Sequence, residues 1–169
     1  MKRTTLKPKM LEYRSVGSSD TYTKLPGLLK GLTVTQDDPD STEIEAEFFD
    51  SPWDIQFDGN PIVIEFDLVN FDFDELPDLI GGSNTAATST AADVFEGPVS
   101  AFSSEWEWLL TFYRGNNALK IYDGITTATL NKDEDGALRY HFKITSKIYT
   151  DSNEVDHMYS IVGQKTSGE

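Results

Sequence analysis

Between Leu138 and Ile148 the chain alternates so regularly that an extended strand is the natural way to satisfy it. Leu138, Tyr140, Phe142, Ile144 and Ile148 fall on one face, while Arg139, His141, Lys143 and Lys147 fall on the other. A period of two is the signature of a strand with one buried side. The pattern recurs at Ile62, Ile64, Phe66 and Leu68, which alternate with Glu65 and Asp67. It recurs again at Trp106, Trp108, Leu110 and Phe112, set between Glu105, Glu107 and Thr111, and at Ile44, Ala46 and Phe48, set between Glu43, Glu45 and Glu47. Here the two tryptophans read as core and Glu105 and Glu107 as solvent-facing.

Turn signals separate these runs. Asp58-Gly59 reads as a hairpin turn, after which Pro61 permits only the start of the next strand. "NALKIYDG" and "TTATLNKDEDG" read as two short strands, with turns at Asp123-Gly124 and Asp135-Gly136, and "MYSIV" reads as an edge strand. The alternation breaks once, where Phe71 and Phe73 shift to odd positions. A short helix over about 74–81 follows, with Asp74 as N-cap, Leu76, Leu79 and Ile80 as its apolar stripe, and Gly81 as its left-handed cap. Six to eight antiparallel strands and one flanking helix predict a mainly β fold, an antiparallel sandwich or small barrel.

At 169 residues the chain is long enough to bury one core unaided. The reading divides it into a basic N-terminal arm (1–30), a single β domain (31–160) with a long Ala/Thr/Ser-rich loop at 83–103, and a C-terminal tail (161–169). A connection of that length is usually functional or disordered.

Charge is unevenly placed. Residues 1–30 hold seven Lys/Arg and two Asp/Glu, residues 31–113 hold nineteen Asp/Glu and no Lys or Arg, and residues 114–169 hold seven and eight. The middle segment cannot neutralise itself, and the basic first thirty residues, in this copy or a neighbouring one, are the nearest source of cations. A nucleic-acid reader is disfavoured, because that segment has no cation with which to meet phosphate. The N-terminal stretch has no apolar run of signal-peptide length and no segment is long and apolar enough to span a bilayer, so the expectation is a soluble, unexported chain without a membrane partner.

Reactive chemistry has little material. There is no cysteine, and the two histidines, His141 and His157, stand apart in sequence, His141 with basic neighbours on its strand face. Asn131, Asp133, Asp135 and Gly136 match the opening of a calcium loop, but the twelfth position is Phe142, on an apolar strand face. The segment reads as a polar hairpin turn. Glu105 and Glu107 around Trp106 could suggest a sugar site, yet among 29 acids some pair will always look suitably spaced. No catalytic residue, cofactor or metal is assigned, and the chain reads as a non-enzyme.

The stretch "KLPGLLKGLTVTQDDPDSTEIEAEFFDSPWDIQFDGNPIVIEFDLVNFDFDELPDLIGG", with "LKIYDGITTATLNKDEDGALRYHFKITSKI", resembles the major tail tube proteins of long-tailed bacteriophages and prophages. The likeness covers roughly residues 22–150. It implies a β-sandwich or barrel shared with type VI secretion tube proteins. It also implies subunits that form rings, usually hexameric, which stack into a hollow tube through which DNA passes. The implied setting is the virion tail, assembled in the host cytoplasm, with copies of the same chain and other tail proteins as partners and duplex DNA passing without specific binding.

On that resemblance, outward carboxylates at Glu43, Glu45, Glu47, Glu65 and Asp67 would line the lumen and repel DNA. Lys2, Arg3, Lys7 and Lys9 of the arm, with Trp53, Asp54, Phe57 and Asp58 of the hairpin, would contact neighbouring subunits. The alternative from another class is a soluble β-sandwich binding module that recognises carbohydrate or a protein surface through Trp53 and the acidic loops.

Overall fold

In a computed structural model of the chain, the described residues are 7–38, 41–44, 54–57, 60–113, 117–132 and 136–162. They form a mainly β protein with one short helix. The strands are β1 (Lys7–Arg14), β2 (Thr23–Lys24), β3 (Leu28–Gln36), β4 (Ser41–Ile44), β5 (Asp54–Phe57), β6 (Ile62–Val69), β7 (Ser83–Thr85), β8 (Val94–Glu96), β9 (Ser104–Tyr113), β10 (Ala118–Lys132), β11 (Leu138–Ser146), β12 (Tyr149–Thr150), β13 (Asp156–His157) and β14 (Tyr159–Val162). The helix α1 spans Leu76–Ile80.

Eight strands make one antiparallel sheet in the order β2-β1-β9-β10-β11-β6-β3, with β14 added beside β10. The two ends of this order, β2 and β3, are consecutive in the chain and separated only by Leu25–Gly27. Three residues reach little more than about 10 Å, so the sheet curls until its ends approach at that corner. β4–β5, β7–β8 and β12–β13 are separate two-stranded ribbons.

The alternation predicted the buried faces well. Ile62, Ile64, Phe66 and Leu68 are all buried, as are Tyr140, Phe142 and Ile144 opposite them. Phe66 stacks on Phe142 with ring centroids 5.1 Å apart. Trp108 and Leu110 of β9 and Leu11 and Tyr13 of β1 continue this core. Leu76, Leu79 and Ile80 of α1 are buried too, against β9 and β10. At the rim the pattern outruns the core: Leu138 and Ile148 share the parity of their buried neighbours but are exposed.

Several expectations change. Residues 7–14, assigned to a basic arm, are a strand of the main sheet paired to β9 from Lys7↔Tyr113 to Arg14↔Glu107. Leu11 and Tyr13 alternate with Glu12 and Arg14, and burying that apolar pair outweighs the basic character of the segment. Asp123-Gly124 is a β-bulge inside one fifteen-residue strand, where a turn was expected. β10 pairs with β9 through Ile121↔Trp108 and again through Gly124↔Trp106, so one extra residue is absorbed without reversing the chain. The glycine is needed there because a Cβ would lie 2.7 Å from Ile144 Cγ2 and 2.9 Å from Trp108 Cδ1.

The turn expected at Asp58-Gly59 lies outside the described residues, and the strands flanking it are not paired with each other among the described residues. β5 pairs with β4, while β6 lies between β11 and β3. The 83–103 connection is only partly loop, since Ser83↔Glu96 to Thr85↔Val94 pair as β7–β8. The helix is preceded by Glu75 at its N-cap position, with no side-chain cap. Asp74, the expected cap, is engaged elsewhere, because its Oδ1 accepts from Asn84 Nδ2 at 2.7 Å. Gly81 ends the helix at a positive φ of 76 but with ψ -171, an extended conformation open to glycine rather than the left-handed cap expected, and its N–H donates to Pro77 O at 2.9 Å.

Candidate assembly surface

β3 has nine residues and pairs on one side only, with β6, from Leu28↔Val69 to Gln36↔Ile62. Its other edge has no strand partner among the described residues. Leu28 is 61% and Val34 42% exposed, although Val34 stands opposite the buried Ile64. At the corner where the sheet ends approach lies a cleft of about 360 Å³, lined by Met10 and Leu11 of β1, Leu25, Leu28 and Leu29, and Leu110, with Lys9 and Lys24 beside them. An open strand edge next to an apolar cleft is a template for another chain.

The outward carboxylates of β6 do not stand free. Asp67 Oδ2 lies 3.0 Å from Arg139 Nη1, and its Oδ1 lies 2.9 Å from His141 Nδ1. His141 Nε2 is 3.6 Å from Glu65 Oε1, and Lys143 is the ladder partner of Glu65. His141 was expected among basic neighbours along its own strand; the neighbours that meet it are the acids across the ladder. The cation-free segment is therefore neutralised in part from β11, a strand more than seventy residues away in the chain, rather than from the first thirty residues alone. The lumen reading of Glu65 and Asp67 loses force accordingly, because paired carboxylates repel a polyanion less.

A second cluster corrects the reading of Glu107, which was expected to face solvent beside Glu105. Glu107 is only 3% exposed. Its Oε1 accepts from Arg14 Nε at 2.8 Å and from the Tyr22 hydroxyl, and lies 3.3 Å from Lys120 Nζ. Arg14 also sits 4.3 Å over the Tyr22 ring. The segment after β1 folds over the outer face of β9, so a strand whose two faces look apolar and polar is covered on both. Burial, then the hydrogen bond to Glu107, pushes the Tyr22 hydroxyl well above its ordinary range. The strand alternation carried no signal for this cluster.

A third cluster marks the end of β11. Lys147 Nζ donates to Glu105 Oε1 at 2.7 Å and lies 3.2 Å from Asp123 Oδ2. Asp123 is buried at the bulge, and that burial raises its carboxyl above the usual range against the lowering pull of Lys147. Lys147 is held protonated above its ordinary value, first by the Glu105 hydrogen bond.

Of the remaining residues singled out in the sequence, Lys7 opens β1 and Lys9 is exposed on it, while Glu43, Asp54 and Phe57 belong to β4–β5. Lys2, Arg3, Glu45, Glu47, Trp53, Asp58, Asp133 and Asp135 lie outside the described residues. Asn131 is a strand residue paired to Arg139, and Phe142 is fully buried. Among the described residues no group of three His, Asp or Glu is placed to hold a metal ion, and no helix is long and apolar enough to cross a membrane.

No protein-family model matches this chain, and a search of curated proteins finds no match.

Proposed function

We propose that the protein is a structural subunit of a phage-type tail tube, self-assembling into stacked rings around a DNA-conducting channel. The observation that carries this reading is the nine-residue strand β3, which ends the sheet order with a strand partner on one side only among the described residues and is bordered by an apolar cleft. Soluble proteins commonly protect long edges with charge, proline or a covering element. An edge bearing exposed Leu28 and Val34 suits a chain that completes its sheet with a neighbour. The resemblance of residues 22–150 to tail tube proteins supplies the kind of assembly, and closed symmetry removes such edges around a ring.

The ion pairing of Glu65 and Asp67 narrows the proposal. Repulsion of DNA falls to carboxylates other than these two. The test is negative-stain electron microscopy of concentrated protein, with a light-scattering mass at low and moderate salt. Hollow rings or tubes are the expected result. A monomer at every concentration and salt overturns the reading, and a monomer that binds immobilised glycans or a protein surface replaces it with a binding module.

A further inference from the structure

The cleft at the corner of the sheet has a simple chemistry. Among the described residues it is lined by five leucines, one methionine and one glycine, and its charged groups are Lys9 and Lys24 alone. No aromatic ring, hydroxyl, carboxamide or carboxylate side chain is part of that lining. Leu11 and Leu110 are buried, whereas Leu28 is 61% exposed and both lysines are exposed. The lining therefore runs from a buried aliphatic floor to a rim that carries two cations.

Those cations are uncommitted. Arg14, Lys120 and Lys147 are each held by a carboxylate, but Lys9 and Lys24 have no hydrogen-bond or ion-pair partner among the described residues. A chain with a net charge of -15 has acids to spare, and none of the described ones is placed against these two ammonium groups. A ligand built on a flat ring would call for aromatic side chains to stack on and several polar groups to fix it. This lining offers neither. It fits an aliphatic chain that ends in an anion, and its 360 Å³ holds about twelve groups of water size, close to a chain of ten to twelve carbons.

We infer that the cleft binds the anion of a medium-chain fatty acid, with the tail along Leu11 and Leu110 and the carboxylate between Lys9 and Lys24. The inference does not rest on the tail-tube reading. That reading concerns the pairing of β3 along its length, whereas the cleft takes in only its first two residues, Leu28 and Leu29. The aliphatic floor supplies affinity in proportion to tail length, about fourfold for each methylene removed from water. The two ammonium groups select the sign of the head group.

Calorimetric titration tests it. Octanoate, decanoate and decyltrimethylammonium would each be added, below micelle formation, to the full chain at a concentration where light scattering shows a single species. Decanoate is expected to bind about tenfold tighter than octanoate and at least about tenfold tighter than decyltrimethylammonium. The variant K9E/K24E, with its fold checked by circular dichroism, should invert the head-group preference, so that the cationic amphiphile binds better than decanoate. Amide shifts of the wild-type chain locate the ligand without any substitution, and those of Leu11, Leu25 and Leu29 should move most. Absence of decanoate binding, equal binding of the two head groups, a preference that K9E/K24E leaves unchanged, or shifts confined to other strands would each overturn the inference. None of these outcomes bears on whether the chain forms hollow rings, which electron microscopy reads separately.

Discussion

Arg14 Nε donates to Glu107 Oε1 at 2.8 Å, on a carboxylate with only 3% of its surface exposed. The two residues come from neighbouring strands, β1 and β9, where they are ladder partners at the end of the register. Tyr22 and Lys120 converge on the same oxygen. The cluster joins the first strand, the segment after it and the two central strands.

Removing the carboxylate should be costly. Glu107→Ala leaves two largely covered cations without their shared partner, and a broken buried ion pair costs about 3 kcal/mol. Tyr22→Phe deletes one hydrogen bond and should cost about 1 kcal/mol. Urea unfolding followed by circular dichroism gives both numbers. A loss below about 0.5 kcal/mol for Glu107→Ala would place the cluster with ordinary surface pairs.

The bulge in β10 makes a steric prediction. Gly124→Ala drives a Cβ toward Ile144 and Trp108, two fully buried side chains, and overpacking of this kind costs about 1–3 kcal/mol. Thr126→Val removes the hydroxyl that accepts from Trp108 Nε1 at 3.1 Å. An indole N–H left buried and unpaired costs about 1–3 kcal/mol. Thermal melts and the near-ultraviolet tryptophan signal should report both changes.

Tyr13 predicts an alkaline limit. Burial first, then the charges of Glu75 and Asp78, push its hydroxyl from 10.0 up to about 12. In the unfolded chain the phenol ionises earlier, so this contribution to stability is complete below pH 10 and is lost as pH rises toward 12. Tyr22 shifts in the same direction. Melting temperatures measured from pH 9 to 12 should fall steeply for wild type and less steeply for Tyr13→Phe. Equal slopes would mean that Tyr13 titrates as an exposed phenol.

Asp151 predicts a local acid limit. Its carboxylate accepts the Val155 N–H at 3.0 Å and the Asn153 N–H at 2.8 Å and lies 3.1 Å from His157 Nε2. These contacts, the Val155 bond foremost, hold the carboxyl below 3.8. The stabilisation is present above that unfolded value and is lost as pH falls through the lowered folded one. Amide protection at Val155 should therefore drop on acidification, and Asp151→Asn should show a flatter dependence. Protection unchanged from pH 6 to pH 2 would count against the carboxylate as the turn's clasp.

Period-two alternation is a local property of the chain, and it named most of the core before any fold was known. The residues Ile62 to Leu68, Trp108, Leu110 and Tyr140 to Ile144 are buried where their parity puts them. The helix stripe Leu76, Leu79 and Ile80 was equally legible, because its spacing and the glycine that ends it are local as well. What the alternation could not carry was anything set by a distant strand. It gave Glu107 the parity of a solvent-facing residue, and only the segment after β1, folded over β9, made it a buried one. It gave β6 an unneutralised acidic face, and only the ladder with β11 brought Arg139 and His141 to Asp67. At Asp123-Gly124 a dipeptide with turn chemistry became a bulge, because pairing with β9 on both sides kept the strand extended. Side-chain parity depends on the residue itself and its immediate neighbours, whereas pairing depends on which strand arrives alongside. The faces were therefore readable from the sequence, while the ion pairs, the bulge and the order of the strands were decided by the tertiary structure.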